Sequence, residues 1–256
     1  MEVKYKHEKS PESGERLQKV LAQAGVASRR QVEKLIQEGR VKVNGSTVSV
    51  LGTKVRAEDE IIVDGVPVKK AEELHYYLLN KPVGVISSAQ DPRGRPTVVD
   101  LMKNVPVRVY PVGRLDYDTS GLLIMTNDGE LAHRLMHPSY GVNKTYRVWV
   151  KGPVELEALE QLRKGVELED GKTAPAKVIS RSGHKQHLLE VLEVTIHEGK
   201  NRQVRRMFKF VGYPVVQLER IAYGPLTLDG QRFSAGNYRS LTIEEVKKLR
   251  LLVGLS

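Results

Sequence analysis

The sequence predicts an α+β fold: a larger domain with a mixed, largely antiparallel central sheet, preceded by a small unit of two helices and short strands. Three observations carry this. Two helical periodicities open the chain and short alternating runs follow them. Strand-like and helix-like segments then interleave from residue 75 onward, and their crossovers are too irregular for a doubly wound parallel sheet. The 256 residues, 40% of them apolar, suffice for a small module plus a medium domain with a real core.

Residues 1–14 are charged, carry Pro11 and lack periodicity, so they read as a flexible tail. Leu17, Val20, Leu21 and Ala24 then recur at i, i+3, i+4 and i+7, and Gly25 stands where that helix would stop. Ser28 and Gln31 form a capping-box pair for a second helix, whose buried stripe is Val32, Leu35 and Ile36 and whose end is Gly39. Val41 to Gly45 reads as a strand entering an Asn-Gly turn, with further strands near 47–50 and 60–63. The unit spans 15–64, and 65–74, with its Lys-Lys-Ala-Glu-Glu stretch, reads as a linker. In the second domain, 75–256, strands are expected near 75–79, 84–88, 107–112, 121–126, 144–151, 174–180 and 188–197. Helices are expected near 129–136, 154–163, 201–211 and 242–252, the last opened by the capping-box spacing of Thr242 and Glu245.

An excess of 41 Lys and Arg over 31 Asp and Glu gives a formal charge of +10, which favours an anionic partner such as nucleic acid. The absence of cysteine removes disulfides, thiol nucleophiles and thiolate metal sites. No stretch resembles a signal peptide or approaches the length of a membrane span, so a soluble, cytoplasmic protein is expected, without membrane partners.

Chemistry concentrates in two stretches. From Gly113 to Met125, carboxylates stand between two glycines with an apolar run behind them, and Asp116 occupies the apex of a sharp loop. A carboxylate placed there needs a partner or a job. From His197 to Val211 one helix shows two faces: Val204, Met207, Phe208 and Val211 follow one stripe, and Arg202, Arg205, Arg206 and Lys209 follow another, about 200° around the helix. Four cations on one face repel one another, so a polyanion or a buried carboxylate is expected beside them. In the first unit Arg29, Arg30 and Lys34 project away from the apolar stripe, followed by Arg40 and Lys42, a set that can track a phosphate backbone. An ordinary solvated face competes with that reading, because residues 1–64 hold 12 Lys and Arg against 10 Asp and Glu.

Glu15 to Leu21, Ala24 to Arg30 and Gly39 to Gly45 resemble the S4 RNA-binding domain. Gly113-Arg114-Leu115-Asp116, Lys144-Thr145-Tyr146 and Glu198 to Met207 resemble the three core motifs of pseudouridine synthases. Lys81-Pro82-Val83-Gly84-Val85 and the run from Asp116 to Ala132 are similar to the RsuA/RluB branch, whose members join an S4 domain to the catalytic domain. The resemblance implies a pseudouridine synthase-like catalytic domain that isomerises uridine in ribosomal RNA without a cofactor, with 23S RNA the expected substrate and 16S RNA the alternative. It implies that Asp116 is the catalytic aspartate, ionised and unhydrated, that Arg205 is its salt-bridge partner, and that Tyr146 stacks on the flipped base. Arg114, Lys200, Arg202 and Arg206 are then expected on phosphates.

Competing readings stay open at this point. The S4-like unit and the basic helix alone would permit a non-catalytic RNA-binding or assembly factor. Asp116 and Asp118 would permit a metal-dependent nuclease, although Asp118 reads better as a cap of its own turn. His133 and His137 share a helical i, i+4 spacing that zinc proteins use, but no third ligand is apparent, and no metal is expected. No nucleotide P-loop or dinucleotide fingerprint is present. A monomer is expected.

Overall fold

A computed structural model describes residues 14–69, 73–181, 188–228 and 234–256. The expected tail, Gly14 apart, and residues 70–72 of the expected linker lie outside them. The chain divides into two compact units. One reaches as far as His75 and includes Val105–Arg108 and Asn127–Gly129; the other holds the rest.

The first unit contains β1 (Glu15–Arg16), α1 (Leu17–Gln23), α2 (Arg29–Gln37), β2 (Val41–Val43), β3 (Ser46–Val48), β4 (Lys54–Val55), β5 (Ile61–Val63) and β6 (Val66–Pro67). Both halves of the Ser28–Gln31 capping box form at the start of α2. Asn44 and Gly45 both take positive φ, 48° and 79°, which closes the tight turn between β2 and β3. Strands run in the order β3-β2-β5-β6. Leu17, Leu21, Val32, Ile36 and Val41 are completely buried beneath them, each contributing about 1.5–3 kcal/mol of burial.

The second unit is built on β7 (Tyr76–Lys81), β8 (Tyr110–Pro111), β9 (Ser120–Thr126), α3 (Gly129–Met136), β10 (Lys144–Lys151), α4 (Leu156–Lys164), β11 (Glu167–Leu168), β12 (Gly171–Lys172), β13 (Lys177–Ser180), β14 (Leu189–Ile196), α5 (Gln203–Phe210), β15 (Val215–Tyr223), β16 (Leu226–Thr227), β17 (Tyr238–Ser240) and α6 (Ile243–Leu252). Its central sheet runs β13-β14-β10-β15-β9-β7-β17, with β8 on β9 and β16 on β15. The β9–β15 pair is parallel and the other pairs are antiparallel, the mixed sheet expected from the sequence.

Three expectations change. The stretch 84–88 is a loop carrying a single bridge, Ile86 to Thr97, and 107–112 shrinks to the two residues of β8. No strand is expected from the sequence where β15 lies, in the middle of the sheet, because Gln217, Glu219 and Arg220 interrupt its apolar pattern.

Backbone proximity joins β9 to β15. Gly121 stands opposite Arg220 with φ 109°, and a Cβ there would lie 2.3 Å from the Arg220 carbonyl oxygen. Only glycine allows this approach. It places the start of β9, and the loop leading into it, beside β15.

Candidate active site

Five consecutive carbonyls hold the loop that presents Asp116. The Leu115 carbonyl accepts from Ser87 Oγ at 2.8 Å, and Ser87 Oγ in turn accepts from the Leu115 N–H at 3.1 Å. Lys81 Nζ donates to the carbonyls of Asp116 (3.1 Å) and Thr119 (2.8 Å), and also to that of Pro82 (2.9 Å). Gly84 N–H donates to Tyr117 O at 2.8 Å, and Arg205 Nη2 to Asp118 O at 2.8 Å. A turn with every carbonyl engaged has few other conformations to visit, so the aspartate is preorganised. Lys81 is 0% exposed, and burial pushes its amine down to about 8 against the opposing pull of Asp116 and Asp118. Sequence reasoning quoted Lys81 within a motif but gave it no role. The available signal was a lysine closing an apolar run just before a proline.

The carboxylates are more exposed than their apolar flanks suggested, since the Asp116 side chain keeps 33% of its surface. Its ion pair is with Arg202, Nη1 to Oδ2 at 3.5 Å. The expected Arg205–Asp116 pair is replaced: Arg205 Nη2 lies 3.3 Å from Asp118 Oδ2 and acts on Asp116 only at longer range. Arg202 also forks onto Asp118 at 3.0 and 2.9 Å. Asp118 therefore anchors two guanidinium groups, which corrects its reading as a turn cap; the Arg202 hydrogen bond, above all, holds its carboxyl below the usual range. The geometry has a local cause. Arg202 precedes α5 with φ 47°, a left-handed conformation that costs a residue carrying a Cβ about 1–2 kcal/mol, and from there its side chain reaches Asp116 and Asp118.

Other expected phosphate contacts are engaged within the protein. Lys200 Nζ caps the carbonyls of Asp170, Gly171 and Lys172 at 3.2, 2.7 and 3.1 Å, and Arg206 forks onto Asp170 at 2.8 Å twice. These contacts tie the β11–β12 hairpin to α5. Arg114 is exposed and, among the described residues, makes no ion pair.

Tyr146 is 9% exposed on β10 and faces Arg220 across the sheet. One step along, Lys144 pairs with Tyr223 and its Nζ lies 5.5 Å above that ring; the Arg220 guanidinium is 5.0 Å from the same ring. Arg220 is 2% exposed and donates from Nε to Leu122 O at 2.8 Å. Sequence reasoning missed this pair of cations beside Tyr146, buried Arg220 and half-buried Lys144.

In the first unit Arg29, Arg30 and Lys42 are exposed and, among the described residues, unpaired. Arg40 is not free: it forks onto Asp64 at 2.7 Å twice and reaches Glu38 at 3.1 Å, while Lys34 lies 3.7 Å from Glu38. The His133 and His137 rings are 5.4 Å apart, and among the described residues no group of three His, Asp or Glu side chains gathers as a metal site. Among the same residues no helix is long and apolar enough to cross a membrane.

Residues 75–210 match the RNA pseudouridylate synthase family, and residues 15–61 match the S4 domain. The chain thus belongs to the RNA pseudouridylate synthases: it is an enzyme that isomerises uridine in RNA. Among its relatives, ribosomal large subunit pseudouridine synthase B of Bacillus subtilis is 55% identical, over 93% of this chain and 96% of the relative. An uncharacterized RNA pseudouridine synthase of Aquifex aeolicus is 47% identical over 94% and 95%. A crystal structure of a pseudouridylate synthase aligns with a TM-score of 0.64 at 34% identity, covering 92% of this chain and 99% of that one.

Proposed function

We propose that this enzyme isomerises one specific uridine of 23S, the large-subunit ribosomal RNA. The observation that carries the choice is its 55% identity, over nearly the whole of both chains, to a Bacillus subtilis protein named for the large subunit. In this reading Asp116 is the catalytic aspartate, on a loop whose backbone cannot yield. Two routes fit it. Asp116 bonds to C1′ as N1 leaves with the bonding pair, or it takes the C2′ proton while a C1′=C2′ double bond forms. The base then turns; C5 bonds to C1′ as the Asp116–C1′ bond breaks, or, in the second route, as the C1′=C2′ double bond opens and C2′ regains its proton from Asp116, and the C5 proton is lost while N1 gains one. Tyr146 stacks on the turning base, and Arg202, with Arg205 at longer range, faces the Asp116 carboxylate.

The unit of residues 15–69, whose sheet is completed by β6 (Val66–Pro67), grips structured RNA, and residues 75–256 carry the catalysis. Arg29, Arg30, Lys42 and Arg114 are the cations ready for phosphate. Lys34, Arg40, Lys200, Arg202 and Arg206 reach phosphate only by leaving their present partners. The protein works as a monomer in the cytoplasm. Incubation with unmodified 16S and 23S transcripts, followed by carbodiimide mapping of pseudouridine, tests the reading. One new site in 23S RNA is expected, and none with Asp116→Asn, whose RNA binding persists; modification of 16S RNA alone, or turnover by Asp116→Asn, would overturn it.

A further inference from the structure

Two cations beside Tyr146, with no acid to match them among the described residues, call for an anion. Lys144 and Arg220 share one face of β10 and β15 with Tyr146 and Tyr223. Among the described residues Arg220 Nη2 is buried without any hydrogen-bond partner, and Lys144 Nζ has only the Val142 carbonyl, at 3.2 Å. Among the described residues no carboxylate offsets either one by an ion pair. Burial first, and the neighbouring Arg220 charge second, push Lys144 down to about 8, so it still holds its proton at neutral pH. Facing like charges in a low-dielectric wall destabilise the fold, and a structural pair would have recruited an acid.

The reaction generates such an anion. When the N1–C1′ bond breaks by either route, N1 keeps the electron pair and the uracil ring carries a negative charge delocalised onto O2 and O4. Phosphates stay outside the base site, whereas Lys144 lies two residues from Tyr146 on the same strand face. We propose that Lys144 is a further catalytic residue, whose ammonium donates a hydrogen bond to an oxygen of the departing uracil and stabilises its charge. Arg220, buried behind it, is a positioning residue whose field reinforces the same charge. The inference rests on the assignment of Asp116 and Tyr146 to the reacting nucleotide.

The test uses the full chain and a short RNA carrying the mapped target as uridine or as 5-fluorouridine; because fluorine leaves no C5 proton to lose, the readout on both is the single-turnover disappearance of the N1-linked nucleoside, followed by nuclease digestion and mass spectrometry. Fluorine withdraws electrons and stabilises the uracil anion unaided. Lys144→Met and Lys144→Gln are expected to lose about 100-fold in rate on uridine but less than about tenfold on 5-fluorouridine, with RNA affinity unchanged. Lys144→Arg, which keeps the charge, retains most of the rate. Equal losses on both RNAs, an undiminished rate, or weaker RNA binding at full rate, the mark of a phosphate contact, would each overturn the proposal. Loss of all turnover in Asp116→Asn separates failure of this inference from failure of the assignment beneath it.

Discussion

Lys81 shows how a residue can organise an active site without touching substrate. Its ammonium, on a side chain with no exposed surface, holds three carbonyls at the foot of the Asp116 loop. Lys81→Met is expected to destabilise the protein by about 3 kcal/mol, since three buried acceptors lose their donor at once. The difference from wild type should depend on pH. The unfolded amine titrates at 10.5 and the folded one at about 8, so between these values the unfolded chain binds a proton that the folded chain has released. Wild-type stability therefore rises with pH through that window relative to the methionine variant; below it both states are protonated and the burial penalty is complete. Urea unfolding at about pH 7 and about pH 9.5 should show the gap widening; a gap that narrows would contradict this account. Sequence reading found Asp116 because a carboxylate between apolar runs is conspicuous. It paired Asp116 with Arg205 because Arg205 matches the arginine of the family's third motif, whereas the guanidinium that stands beside Asp116 is that of Arg202, which enters α5 from a left-handed backbone.

Elements differ in legibility for a related reason. The two faces of α5 were readable because each repeats every three or four residues, and Val204, Met207 and Phe208 are buried as that pattern requires. The central strand β15 was unreadable: a buried arginine looks like a surface residue in any hydrophobic pattern, and Arg220 is inside because its neighbours are a glycine, a carbonyl and a tyrosine ring. Gly121 is expected from the sequence only as the first residue of a strand, yet its close approach to Arg220 is what lets β9 lie parallel to β15. Gly121→Ala is expected to cost more than about 3 kcal/mol, because the new methyl would overlap the Arg220 backbone and the φ of 109° is closed to alanine. Thermal melting measures this directly; a melting temperature within a degree or two of wild type would mean that the two strands separate freely.

At the scale of the whole molecule, the net charge of +10 overstates what is available to RNA. On α5 and just before it, Arg202, Arg205 and Arg206 are matched by Asp116, Asp118 and Asp170, so the most basic segment of the sequence is largely neutralised by its own fold. The first unit, nearly neutral by count, keeps Arg29, Arg30 and Lys42 unpaired among the described residues. Counting charges therefore ranks the two segments in the wrong order, whereas counting unpaired cations ranks the S4 unit first. Each cation that neutralises a phosphate adds a little under one to the slope of log affinity against log salt, so replacing Arg29, Arg30 and Lys42 together by alanine should reduce that slope by roughly 2–3. Arg206→Ala should leave the slope unchanged, because its guanidinium is occupied by Asp170 at 2.8 Å, and should cost only about 0.2–1 kcal/mol of stability, as expected of a partly exposed pair. Filter-binding titrations across a range of salt concentrations distinguish the two. A slope that falls by about one in Arg206→Ala would show that Asp170 yields this arginine to phosphate when RNA arrives, and that the ion pairs of α5 are exchanged rather than kept.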